Sequence, residues 1–282
     1  MHKKQEHKKK DKFNIILSVI FLLGLCAVLY PSVSNYINQI DATHAVVSYD
    51  EAIQAMSDEE RQSFFDEADK YNRQLDPASQ TYINGSAVDP VYQSILDTDG
   101  EGMIGYITIK RIRVQIPIYH GTDEKLLQSS AGHEEGSSLP VGGESTHAVL
   151  AGHRGLPSAR LFTDLDRLEI GDTFTITVLD RTLTYRIDQI KIVLPDETED
   201  LDIVEGEDYV TLVTCTPYAV NTHRLLVRGV RTEGKDALQV TADAMQIEPE
   251  IAAVFIAVFL FIIIGIIWAV RVYLKRRNRK IR

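Results

Sequence analysis

The feature that most constrains this chain is a pair of uncharged apolar stretches, one near each end, each with a basic cluster on its outer side. Residues 13–30 carry no charge and only Asn14 and Ser18 as clearly polar members, and residues 251–270 are uncharged and almost wholly aliphatic. Each is close to the length a helix needs to cross the hydrocarbon core of a bilayer. Six Lys stand in the first twelve residues (3, 4, 8, 9, 10 and 12), and seven Lys or Arg in the last twelve. Basic clusters favour the cytoplasmic side, so both termini are expected in the cytoplasm and residues 31–250 outside it. A basic stretch followed by an apolar core also fits a cleaved signal peptide. Because Pro31-Ser32-Val33-Ser34 offers no small-x-small site ending in Ala, the first span is expected to be retained. Reading the second span as a buried core helix leaves its basic tail unexplained.

At 282 residues the chain is long enough for one domain with a sizeable core plus extra segments. Its formal charge of −10 conceals an asymmetry. With the thirteen basic residues of the two ends, Glu6 and Asp11 set aside from 30 basic and 40 acidic residues, 17 basic and 38 acidic remain, a net charge of −21. Such a middle repels nucleic acid, whose binding requires Lys and Arg to neutralise phosphates; the basic ends point to a membrane instead. Of the two cysteines, Cys26 lies inside the first span and Cys215 in the outer segment, so they cannot pair. A lone outer cysteine is either a buried small hydrophobe or a reactive thiol.

Residues 41–75 read as helical. Asp41 is a candidate cap for a first helix, and Ser57-Asp58-Glu59-Glu60 has the spacing of a capping box for a second. Phe64, Ala68, Tyr71 and Leu75 form one apolar stripe, expected to pack against the domain that follows. Residues 76–90 hold three breaker pairs, Asp76-Pro77, Asn84-Gly85 and Asp89-Pro90, and read as a loop. From Gly105 the period changes to two, with strands expected at 105–109, 115–119, 147–152, 173–179, 183–193, 208–215 and 224–230. Short strands at these intervals indicate an antiparallel barrel or sandwich, with short helical connections at 123–128 and 159–165. The acidic run 97–102 lacks the third acidic position and the closing Glu of a calcium loop and reads as a tight turn. The eight histidines show no zinc-type spacing, and Asn84-Gly85-Ser86 is too short a sequon to carry weight.

Cysteine chemistry needs a thiolate, a proton-exchanging group and a donor for the oxyanion. Cys215 ends an expected strand, with Thr211 and Val213 on its face. The returning strand brings Arg224 near it. Arg224 stays protonated and cannot act as a base, but it can hold a carbonyl and stabilise charge developing there. For the base, His153 stands at a strand end beside a loop, where site residues are commonly displayed. His147 at the start of that strand reads as structural or exposed, and His223 is a second rival.

Longer motifs surround these residues. TLVTC (211–215) fits the TLxTC signature of sortases, the transpeptidases that attach surface proteins in Gram-positive bacteria. The stretches GYITI…IPIYHGT (105–122), SSLPVGGESTHAVLAGHRGLPSARLFTDL (137–165) and GEDYVTLVTCTPYAVNTHRLLVRG (206–229) resemble the class C, pilin-polymerising branch. The resemblance implies a mainly β fold: an eight-stranded β-barrel with short helices, an N-terminal helical segment and a transmembrane helix at each end. It implies Cys215 as nucleophile, His153 as acid/base and Arg224 as oxyanion and positioning group, with no metal or organic cofactor. The implied substrates are pilins or surface proteins bearing an LPxTG-like signal, with a pilin lysine amine as acceptor. A cell-wall peptide amine as acceptor is the nearest alternative, and a non-catalytic membrane-tethered β-domain the alternative from another class. The expected organisation is a basic tail (1–12), a span (13–30), a helical, lid-like segment (31–96), the catalytic barrel (97–232), a linker (233–250), a second span (251–270) and a basic tail (271–282). Class C sortases often cover the site with a lid built on Asp-Pro-aromatic. Here the two Asp-Pro pairs continue as Ala78 and as Val91-Tyr92, so no lid residue is carried over.

Overall fold

The computed structural model describes residues 2–75, 89–233 and 258. Apart from residues 233 and 258, the expected linker and second span lie outside the described residues, as does the Asp76-Pro77 pair. Two compact units divide the chain: residues 1–32 with 238–282, and residues 33–237.

Helix α1 (His2–Ala55) is longer than expected and runs through Pro31 without ending. Asp41 is therefore a mid-helix residue rather than a cap: no helix starts there, so there are no orphan N–H groups for its carboxylate to satisfy. Within α1, the stretch Val19–Ala55 holds a window long and apolar enough to cross a membrane, and Phe21, Leu22 and Leu23 are exposed, which marks the part of the helix before Asn35 as a candidate membrane anchor. Helix α2 (Asp58–Gln74) has the full capping box, Ser57 accepting from the Glu60 N–H and Glu60 from the Ser57 N–H. Its buried face centres on Phe65, Ala68 and Asn72, with Phe64 and Tyr71 at the margin. The expected stripe is thus rotated by about one residue. Asn72 explains the rotation: its amide takes a central place because it bonds both the N–H and the carbonyl of Leu139 on the barrel. Asp89-Pro90 does not break a helix but starts one, since Asp89 caps α3 (Pro90–Ser94) and Pro90 fills its first turn.

Eight strands close into a barrel: β1 (Met103–Ile109), β2 (Val114–His120), β3 (Ala131–His133), β4 (Thr146–Ala151), β5 (Thr173–Val178), β6 (Arg181–Val193), β7 (Asp208–Thr216) and β8 (His223–Thr232). Their order is β1-β2-β3-β4-β7-β8-β6-β5, back to β1. The barrel is not purely antiparallel: β2–β3 and β4–β7 are parallel pairs. The expected antiparallel order followed sequence neighbours, whereas the chain leaves β4, builds the β5–β6 hairpin and only then returns as β7. β3 has no strand-like alternation. At its centre, a Cβ on Gly132 would stand 2.2 Å from the Gly121 carbonyl oxygen, so only glycine admits the loop 121–130 that folds over it. The acidic run 97–102 is a turn, with Asp97 accepting from the N–H groups of Gly100 and Gly102.

Alternate residues of each strand fill the barrel, among them Ile107, Ile118, Leu150, Phe174, Tyr185 and Leu212. Outside the closed sheet, the buried Tyr49 of α1 bridges two strand ends. Its hydroxyl donates to the Ile104 carbonyl and accepts from the Leu179 N–H, both at 2.8 Å. Burial pushes its phenol up, beyond any physiological titration. Replacing Tyr49 by Phe leaves two buried backbone groups unpaired, at roughly 1–3 kcal/mol each. A urea titration of Tyr49→Phe should therefore show a lower midpoint with an unchanged slope.

Candidate functional site

The site is set by strand register. In the parallel β4–β7 pair, Val149 lies opposite Thr211 and Ala151 opposite Val213. The match continues past the end of β4, where the Gly152 N–H donates to the Val213 carbonyl at 3.0 Å and the Thr214 hydroxyl donates to the Gly152 carbonyl at 2.7 Å. His153 is two residues beyond Ala151 and Cys215 two beyond Val213, so they stand level. Across the antiparallel β7–β8 pair, Cys215 faces Arg224. Val210 and Leu212 point into the core, so by the period of two Thr211, Val213 and Cys215 point outward. His153, Cys215 and Arg224 therefore form one row across three neighbouring strands, on the outer face of the barrel. The rival histidines fall elsewhere: His223 pairs with Thr216, one residue out of phase with Cys215, and His147 begins β4, opposite Tyr209.

Beside the row on that side of the sheet Val149, Leu201 and Leu226 form a small buried apolar cluster, with the half-buried Val193 and Val213 packed against it. Leu201 comes from the β6–β7 connection, which covers this cluster. On the β7–β8 turn, Tyr218 and Val220 are exposed.

Each member of the row differs in its surroundings. Cys215 is a free, half-buried thiol. Among the described residues no carboxylate pairs with Arg224; its Nη1 makes only long contacts with the carbonyls of His223 (3.3 Å) and Asn221 (3.5 Å). Burial lowers the pKa of His153, with exposed Glu124 pulling weakly the other way, so the imidazole is mostly neutral at neutral pH. Its Nε2 is buried without a hydrogen-bond partner. Neighbouring Arg154 is engaged at both terminal nitrogens, ion-paired with Asp166 and donating to the Thr216 hydroxyl at 3.2 Å, though its Nε is buried without a partner. Gly155 follows at φ +78, with Tyr218 packed so closely that a Cβ there would come within 2.7 Å of its ring. Glu124, in the loop over β3, went unseen in the sequence, where one acidic residue among 40 carries no signal. Among the described residues no group of three or more His, Cys, Asp or Glu side chains is clustered to hold a metal.

His147 is structural. One ring nitrogen meets the Thr211 hydroxyl at 2.7 Å and the other the Asp202 carbonyl at 2.8 Å.

A closed eight-stranded barrel with a thiol, an imidazole and a guanidinium in a row at the ends of β4 and β7 and the start of β8 defines a narrow class of proteins. The Sortase domain family matches residues 107–232. Among solved structures, the chain is similar to sortase C1 of Streptococcus agalactiae, at 48% identity and TM-score 0.64, over 68% of this chain and 99% of that one. It is likewise similar to sortase C of Streptococcus pneumoniae, at 42% identity and TM-score 0.61, over 68% of this chain and 97% of that one. A more distant relative, sortase A of Bacillus anthracis, is 26% identical over 223 residues, 78% of this chain and 95% of its own length. The chain belongs to the sortase family of transpeptidases, and within that family to class C.

The buried histidines carry a pH dependence. Burial depresses His147 to about 4 and His133 to about 3, against about 6.5 in the unfolded chain. Between those values the unfolded state binds more protons, so stability is complete above pH 6.5 and is lost as pH falls toward 4, by about 1.4 kcal/mol per pH unit per group. Urea midpoints should fall from pH 7 to pH 5, and His147→Gln, which removes one of the two groups, should flatten that fall.

Proposed function

We propose that this protein is a membrane-anchored cysteine transpeptidase that joins pilins through an LPxTG-like sorting signal. The single observation that carries the reading is the row of His153, Cys215 and Arg224 on one exposed face. Cys215 is the nucleophile: its sulfur attacks the carbonyl carbon of the Thr–Gly bond while its proton passes to the neutral imidazole of His153. Arg224, which has no carboxylate partner among the described residues, holds the carbonyl oxygen as it becomes negative. His153 then gives its proton to the departing glycine amine, leaving a thioester on Cys215. In the second half a lysine amine attacks the thioester, His153 takes the amine proton and returns it to the sulfur, and an isopeptide bond remains. The cycle needs no oxidant, metal or organic cofactor.

A pilin as substrate is supported by the likeness to class C sortases, among them the Streptococcus pneumoniae enzyme whose structure has been described in terms of pilin substrate specificity. We further propose anchoring at both ends, by α1 and by residues 251–270, with the barrel outside the cell membrane of a Gram-positive bacterium. Such anchoring raises the effective concentration of substrates that are themselves still in the membrane.

Incubating the full chain with an LPxTG peptide, without an amine, should add the peptide's acyl part to Cys215, as read by mass spectrometry. Cys215→Ala should show no adduct; an adduct that survives this change would sink the enzyme reading. Arg224→Lys keeps the charge but loses the planar fork, and should lower the rate of adduct formation about 10²–10³-fold, the usual effect of removing an oxyanion donor. With pilin as acceptor the product is a high-mass ladder; a cell-wall-anchoring enzyme gives none.

A further inference from the structure

The part of α1 between Asn35 and Ile53 presents one continuous stripe to the barrel domain. Positions 35, 38, 42, 46, 49 and 53 recur at steps of three or four, which is one face of an α-helix. From the third member onward the stripe is the expected kind, with Ala42, Val46, Tyr49 and Ile53 all buried. Its first two members are amides. Asn35 accepts the backbone N–H of Arg160 on Oδ1 at 2.9 Å, and Asn38 donates from Nδ2 to the Ser158 carbonyl at 2.7 Å. The substitution of amides for apolar side chains follows from what they face: two backbone polar groups that a Leu or Val would leave orphaned.

Those two groups belong to the segment that follows His153. The segment is folded on itself: the Phe162 N–H donates to the His153 carbonyl at 3.1 Å, and the Gly155 N–H to the Thr163 hydroxyl at 3.0 Å. Phe162 packs where a Cβ on Gly152 would come within 2.5 Å of its ring. Residues 152–163 are therefore tied to one another as one folded segment, and α1 holds that segment at Ser158 and Arg160. The imidazole of His153 has no such grip. No hydrogen bond to it is present among the described residues, and its Nε2 is buried unpartnered. Acid/base histidines are commonly aimed by a hydrogen bond from a neighbour; here the backbone of the segment is what aims the ring.

We propose that Asn35 and Asn38 are positioning residues for the reaction, making the helix that carries the apolar span also the strut that aims His153 at Cys215. This rests on the acid/base role assigned above to His153.

The test uses the full-length chain in detergent micelles, with an LPxTG peptide and an amine acceptor, at a temperature well below each variant's unfolding midpoint. In Asn35→Ala/Asn38→Ala, kcat should fall about tenfold with KM for the peptide unchanged, as expected when reacting groups are displaced by a fraction of an ångström. The single carboxylate variants separate positioning from packing. Asn35→Asp keeps an acceptor for the Arg160 N–H and should restore kcat, whereas Asn38→Asp has no donor for the Ser158 carbonyl and should stay as slow as Asn38→Ala. A double variant within about twofold of wild-type kcat, or an Asn35→Asp chain as slow as Asn35→Ala, overturns the proposal. A wild-type chain that forms no Cys215 adduct overturns the functional reading itself and this proposal with it. An active wild type with unaffected variants overturns this proposal alone.

Discussion

The register of the parallel β4–β7 pair is the constraint on which the rest of the site depends. A slip of one residue would turn Cys215 into the barrel and Thr214 out of it, because the side-chain period of a strand is two. Polar contacts at both ends of the pair resist that slip: His147 bridges Thr211 and Asp202 at one end, and Thr214 holds the Gly152 carbonyl at the other. Parallel neighbours also demand a long crossover. Here it carries β5, β6 and the β6–β7 connection, whose Leu201 belongs to the apolar cluster beside the row. One topological choice thus supplies both the row and the buried apolar cluster next to it.

His147 and His153 show how environment rather than residue type assigns roles. They lie on the same outward face at the two ends of one strand. His147 is enclosed, satisfied at both nitrogens and driven to about 4; a proton there would cost a hydrogen bond and a solvation shell together. His153 is half-buried, its pKa is lowered less, and its Nε2 is unsatisfied, so the ring can take up and release a proton without breaking an existing bond. The pairing of Arg228 with Asp188 and, among the described residues, the freedom of Arg224 from carboxylates form the same contrast among the cations of β8.

Much of this was legible from residues alone. Seven of the eight strands announce themselves by alternation, and the capping box at Ser57 by four residues. The row His153, Cys215 and Arg224 follows from strand ends and motif. What stayed hidden was long-range. β3 is three residues built round a glycine whose place is dictated by the Gly121 carbonyl pressing on it, a contact no local propensity encodes. The rotated face of α2 depends on Asn72 meeting Leu139, and the parallel order depends on where the β5–β6 hairpin docks. Asn35 and Asn38 read as polar interruptions in a helix; only the backbone of residues 158–160 turns them into members of the stripe that faces the barrel domain.

The closure of the barrel has a consequence for any peptide laid across Cys215. β7, the strand that carries Cys215, is already flanked by β4 on one side and β8 on the other, so an extended ligand finds no free edge there and cannot pair with it as a further strand. Its own amides must be met by side chains and turns standing on the outer surface, and its sequence read by the pits between them. Recognition of that kind discriminates by side-chain shape, position by position, and gives a passing extended segment of the wrong sequence little to hold.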